Sequence, residues 1–292
     1  MASPSPVPIL LYHSVSAAPP AWIAPYAVTP GTFAAHLDAV VASGRQPLTV
    51  SQYLDGLTGA ASLPPRPVLI TFDDGFADFA SDALPALAAR GLPSTLYVTT
   101  GALADRPPGS VLPPARMLLS TDLAGLEAAG VEIGAHSHTH RQLDLLGTRE
   151  VAAELARSRD VLAAALGHPI RSFSYPHSYW RRPMLPLVAA AGFDSACAVG
   201  NGLSSGRDHP LALSRLMAEA TTSAATVASW LDGSGAGPLT RSRRVLAFGW
   251  RQYRRMRQRN TAVDRHFQPA APAAAAAHRQ PGSPPIFRKD LP

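Results

Sequence analysis

What most constrains this chain is a repeated alternation between a short apolar run, a longer stretch with apolar residues spaced near 3.6, and a glycine. Runs of strand length lie at 8–13, 46–50, 68–72, 94–99, 131–135, 171–175 and 193–199. Helical periodicity fills 30–43, 51–57, 76–89, 121–129, 148–166 and 181–191. Gly44, Gly91, Gly130, Gly167 and Gly192 follow five of these stretches, where a left-handed residue is expected to stop the helix. Strand then helix, about seven times over, predicts parallel strands with helices outside, as a barrel or a doubly wound sheet. Both folds place their chemistry at the strands' C-terminal ends.

Three strand ends carry polar clusters. Ile70-Thr71-Phe72-Asp73-Asp74-Gly75 closes an apolar run with two adjacent carboxylates. An Asp-Gly pair also ends ordinary strands in a turn. The functional alternative is that the two carboxylates diverge, one binding a metal while its neighbour accepts a proton. His136-Ser137-His138-Thr139-His140 directly follows the run at 131–135. Three His in five residues are rarely a core feature, because a buried imidazole needs a polar partner. The spacing of His136 and His140 lets both reach one cation from a single turn, which leaves His138 pointing elsewhere as a structural or exposed residue. Two His and one Asp leave room for water, the arrangement of a catalytic zinc. Arg171-Ser172-Phe173-Ser174-Tyr175-Pro176-His177-Ser178 is the third strand end, and alone it reads equally as a strand stopped by proline.

TFDDG, HSHTH and RSFSYP, in this order, resemble the first three motifs of the polysaccharide deacetylase family with its NodB-type domain, over roughly residues 7–217. The resemblance implies a distorted (β/α) barrel of about seven parallel strands and a metal-dependent hydrolase that removes acetyl groups from glycans. Residue by residue it implies Asp73 as general base, Asp74, His136 and His140 as ligands of one divalent metal, usually zinc, and Arg171 as the arginine holding the base carboxylate. It also implies the His177 backbone N–H, in the turn Tyr175-Pro176-His177, as an oxyanion donor. Two departures stand out. The turn reads Tyr-Pro-His-Ser where the family has Tyr-Pro-Tyr-Gly or similar, and no Leu-x-His-Asp motif supplies an acid histidine, Leu213-Ser214-Arg215-Leu216 standing in that region. The opening strand Ile9-Leu10-Leu11-Tyr12-His13 resembles the branch that takes its acid from there, which implies His13 as general acid with His177 as runner-up. An N-acetyl deacetylase of a polysaccharide or its precursor is the expected function. The alternatives are an O-acetyl esterase and an inactive glycan-binding scaffold.

Charge divides the chain. Residues 221–292 hold 12 basic and 3 acidic side chains, so the net charge of +6 belongs to the tail and 1–220 is mildly acidic. The expected organisation is a catalytic domain over 1–220, a helical Arg-rich extension over 221–267 and a disordered Pro/Ala-rich tail over 268–292. Residues 241–259 carry eight Arg and no acid, with Trp250 and Tyr253 on one helical face. That pattern fits an anionic membrane surface and equally a helix packed on the catalytic domain. No nucleic-acid motif accompanies it. With neither a signal peptide nor a spanning segment read from the sequence, the expected location is cytoplasmic, at the inner membrane face if the helix is interfacial.

Overall fold

The computed structural model describes residues 6–236. The Arg-rich segment 241–259 and the tail 268–292 lie outside the described residues. The strands are β1 (Ile9–Tyr12), β2 (Ser14–Val15), β3 (Ala27–Val28), β4 (Gln46–Leu48), β5 (Pro67–Phe72), β6 (Ser94–Val98), β7 (Val131–Ala135), β8 (Ser172–Ser174), β9 (Ser195–Val199) and β10 (Leu213–Met217). The helices are α1 (Pro30–Ala42), α2 (Val50–Thr58), α3 (Leu84–Ala88), α4 (Leu123–Ala128), α5 (Thr148–Leu166), α6 (Leu185–Ala190) and α7 (Ala224–Asp232). A π-helical turn, Phe79–Ala83, leads into α3 and breaks the single helix expected over 76–89.

Seven parallel strands close into a barrel in the order β1, β10, β9, β8, β7, β6, β5, with β5 returning to β1. This is the expected distorted (β/α) barrel, with one change of membership. β4 pairs only with the start of β5, on the edge that β6 takes further along, so it lies outside the ring. The seventh ring strand is β10, a run the periodicity reading passed over.

Period-two alternation sorts the strand residues. Leu10, Tyr12, Val68, Ile70, Phe72, Leu96, Val98 and Phe173 face outward and share one core with Phe33, Leu37 and Val40 of α1 and Leu155 and Leu162 of α5. Ile9, Leu69, Tyr97, Cys197 and Leu213 face inward and pack with Val50 and Tyr53. Those two residues belong to α2, so α2 plugs the N-terminal mouth of the barrel. A Thr49–Gln52 capping box starts that plug, and the Val50 N–H donates to Thr95 Oγ1 at 3.0 Å. Inside the ring the packing is tight at Gly134. A Cβ on Gly134 would stand 2.5 Å from the Tyr97 ring, so the position admits no side chain.

All five glycines expected to stop helices have positive φ. Beyond residue 220, Val227 and Leu231 of α7 are buried in the outer core, and His36 of α1 bonds the Thr222 carbonyl at 3.0 Å. The structure thus seats α7, which the sequence reading assigned to the extension, on the barrel's helical shell. Among the described residues no helix is long and apolar enough to cross a membrane.

Candidate active site

Alternation carries an inward-facing side chain past the end of each strand to the open mouth. Leu69, Thr71 and Asp73 share one phase, and His13, His136 and Ser174 follow in the same way from β1, β7 and β8. Asp74 ought to point outward with Phe72. A left-handed backbone, φ 75°, turns it back toward the mouth beside Asp73. Among the described residues six non-glycines have positive φ, and five of them, Asp74, Ser137, His140, His177 and Ser178, lie in the three strand-end clusters. Such concentration marks strain held by the surrounding structure where geometry matters.

His136 donates from Nδ1 to the Ser174 carbonyl at 2.9 Å, which leaves its Nε2 lone pair facing the mouth. The loop after it is no helical turn. It folds through left-handed Ser137 and His140 and is closed by the His140 N–H donating to Ser137 Oγ. Nε2 of His136 and of His140 then lie 3.4 and 3.1 Å from Asp74 Oδ1, a buried oxygen with no hydrogen-bond partner among the described residues. Tetrahedral ligands at about 2.0–2.1 Å from a zinc ion stand roughly 3.3 Å apart, so the three atoms fit one small divalent cation. Burial pushes His136 down to about 4, which keeps the imidazole neutral and able to ligate. Burial alone would raise Asp74, but the facing histidines outweigh it and hold the carboxyl well below its ordinary range. His138 points elsewhere, as expected, with Nδ1 on Thr100 Oγ1 at 2.8 Å. Glu154 of α5, which sequence reasoning missed, fastens the loop by accepting from the His138 and Thr139 N–H groups and from Thr139 Oγ1.

Asp73 is gripped from two sides, and not by Arg171. Nη1 and Nη2 of Arg215, a fully buried residue of β10, reach its two oxygens at 2.7 Å each, and Nη2 also donates to Ser174 Oγ at 2.7 Å. Burial tends to raise Asp73, and the guanidinium reverses this, holding it below the ordinary carboxylate range. Arg171 instead pairs with Asp55 and Asp194, its side chain 40% exposed. The reason is strand direction. Arg171 precedes β8 and so lies at the mouth plugged by α2, whereas Asp73 follows β5 at the other. A charged residue inside the apolar run Leu213 to Met217 was the available signal for Arg215.

Tyr175, in the turn expected to line the oxyanion and substrate site, does not face the mouth. Ser174 faces inward, so Tyr175 faces the helices, where its hydroxyl donates to the Leu211 carbonyl and its ring stacks on Trp180. Pro176 is buried, and His177 turns the chain at φ 54°, its ring 4.5 Å from that of His140. His13 lies near enough to Asp73 and Asp74 to favour both carboxylates, its Nδ1 is buried without a partner, and its ring packs on Tyr26 at 5.8 Å.

A metal-fitting triad beside a guanidinium-held carboxylate, at the mouth of a seven-stranded parallel barrel, defines the class of fold: this is a NodB-type (β/α) barrel. Residues 60–196 match the family described as polysaccharide deacetylase. YxkH of Bacillus subtilis (strain 168), a protein assigned to the polysaccharide deacetylases, is 24% identical over 229 residues, 78% of this chain and 77% of its own. A chitooligosaccharide deacetylase of Sinorhizobium fredii is 29% identical over 137 residues, 46% of this chain and 55% of the relative. Among solved structures, the deacetylase PplD of Streptococcus pyogenes has the same fold, with a TM-score of 0.69 and 22% identity over 80% of this chain and 99% of that one.

Proposed function

We propose that this protein hydrolyses N-acetyl groups on the sugars of a polysaccharide or its oligosaccharide precursor, with one divalent metal, zinc by preference, held by Asp74, His136 and His140. The observation that carries the reading is the convergence of both imidazole Nε2 atoms on the orphaned Asp74 Oδ1, beside an Asp73 locked by Arg215. When bound there, the cation supplies Lewis acidity to water and to the acetyl carbonyl.

The chain's own groups supply the rest. Asp73, kept ionised by Arg215, accepts the proton of the attacking water. The His177 N–H donates to the carbonyl oxygen as it gains charge, a contribution of roughly 3 kcal/mol for a well-aimed donor. His13, as the imidazolium, delivers a proton to the departing amine and is left neutral, and the amine leaves poorly without that proton. An inactive glycan-binding scaffold has no use for a buried, strained, charge-tuned constellation of this kind.

The test is to incubate the metal-loaded protein with acetylated oligosaccharides and follow the products by mass spectrometry and amine labelling. Loss of acetyl with a free amine formed in equal number supports the reading. Acetate release without amine would make the protein an O-acetyl esterase.

A further inference from the structure

His13 occupies the one-residue gap between β1 and β2, and both of its flanks are tied to the segment that carries the base and the metal ligand. On one side the Tyr12 carbonyl accepts from the Asp73 N–H at 3.0 Å. On the other, Ser14 Oγ donates to Asp78 Oδ2 at 2.5 Å and the Val15 N–H donates to Asp78 Oδ1 at 3.3 Å. Ser14 is only 1% exposed, so the carboxylate and not bulk water is the partner of its hydroxyl. Asp78 itself opens the π-helical turn, whose Phe79 ring is seated on Phe72 of β5 at 4.8 Å. The imidazole has no hydrogen bond through Nδ1, so the backbone on either side, with the Tyr26 ring, sets where it points.

We propose that Asp78 is a positioning residue for the proton-donating His13, fixing the ring relative to Asp73 by clamping residues 14 and 15. The proposal rests on His13 being the general acid. Acid and base must reach opposite sides of one scissile bond, and a misplacement of about 1 Å costs on the order of 10²-fold in rate. If the clamp is released, Asp73 and the metal ligands keep their own supports while His13 loses one of its two.

The experiment compares two acetyl donors on the full-length, zinc-loaded protein. The N-acetylglucosamine pentamer has an amine leaving group that needs a proton, and 4-nitrophenyl acetate has one that does not. Asp78→Ala is expected to lower the amide-to-ester kcat ratio about 10–100-fold, with zinc content and amide KM little changed and Asp78→Asn, which keeps one acceptor oxygen, in between. His13→Ala is expected to lower the same ratio, and Asp78→Ala is expected to add nothing in that background. Should Asp78→Ala fail to fold, Ser14→Ala removes the shorter of the two bonds from the other side and should shift the ratio in the same direction. An equal loss on both donors, no loss on either, or a further loss in the His13→Ala background overturns the proposal. A His13→Ala variant with an unchanged ratio removes the acid assignment itself, and the proposal with it. A changed ratio in His13→Ala without one in Asp78→Ala removes the proposal alone.

Discussion

At the N-terminal mouth of the barrel α2 lies across the opening and the charged groups around it are paired. Glu132 accepts from the Ser51 N–H and hydroxyl and from Thr95 Oγ1, and Arg171 is shared between Asp55 and Asp194. At the C-terminal mouth no such plug is seated among the described residues, the backbone turns left-handed at five non-glycine positions, and Asp74 Oδ1 and His13 Nδ1 are buried without partners among those residues. Both ends use a carboxylate and an arginine. One end pairs its charged groups at low strain, leaving only the neutral hydroxyls of Tyr53, Ser94, Ser172 and Ser195 without partners among the described residues, and the other holds charged and ligating groups in a geometry they would not choose alone. That contrast separates a structural end of a barrel from a working one better than residue type does.

The largest effect on this contrast should come from the adjacent aspartates. Asp73→Asn is expected to retain zinc and lose turnover by about 10²–10⁴-fold, as for removal of a general base. Asp74→Ala and His140→Ala are expected to lose zinc as well as turnover, measured by metal analysis after dialysis against a weak chelator. Equal zinc loss in Asp73→Asn and Asp74→Ala would abolish the division of labour between neighbouring carboxylates.

Arg215 comes next, because its pair with Asp73 is fully buried. Arg215→Met leaves a buried carboxylate uncompensated, at a cost of about 3–5 kcal/mol, which lowers Tm by roughly 10 °C in a domain of this size. Pairing the change with Asp73→Asn removes the orphaned charge, so the double variant should recover part of that loss while remaining inactive. A double variant no more stable than Arg215→Met would mean that the arginine stabilises by filling the barrel and not by balancing Asp73.

The two arginines also show where sequence reading succeeds and stops. TFDDG and HSHTH are legible because each is local: a strand ends, and the residues after it have nowhere to go but the mouth. Parallel alternation then brings Asp73 and His136 together with no knowledge of the ring. Arg215 is 142 positions from Asp73, and their contact exists only because β1 pairs with β5 on one side and β10 on the other. Nothing local announces that closure, and an arginine within Leu213 to Met217 interrupts the apolar run that would have marked a strand. Arg171 drew attention as the first residue of RSFSYP. Three positions of extended chain before Ser174 put it roughly 10 Å nearer the wrong end, an inference open to strand geometry alone. The role of α2 as a plug was likewise illegible, since a plugging helix and a crossover helix share one periodicity.

The smallest effect is expected at the plugged mouth and serves as the control. Arg171→Ala removes two half-exposed ion pairs, each worth about 0.2–1 kcal/mol once solvent screening is counted, and should leave kcat unchanged. Asp55 has its pKa lowered, chiefly by its hydrogen bonds from Arg171. A carboxyl depressed in the folded state stabilises above its unfolded pKa, and that contribution disappears as pH falls through the folded value. The wild-type protein should therefore exceed Arg171→Ala in Tm by about 1–3 °C near neutrality, a gap that narrows as pH falls below the ordinary aspartate pKa of about 3.9. Thermal melts of the two proteins from pH 7 to pH 3, with turnover measured at pH 7, check this. A large loss of activity in Arg171→Ala would make the plugged mouth part of the working site and collapse the distinction between the two ends.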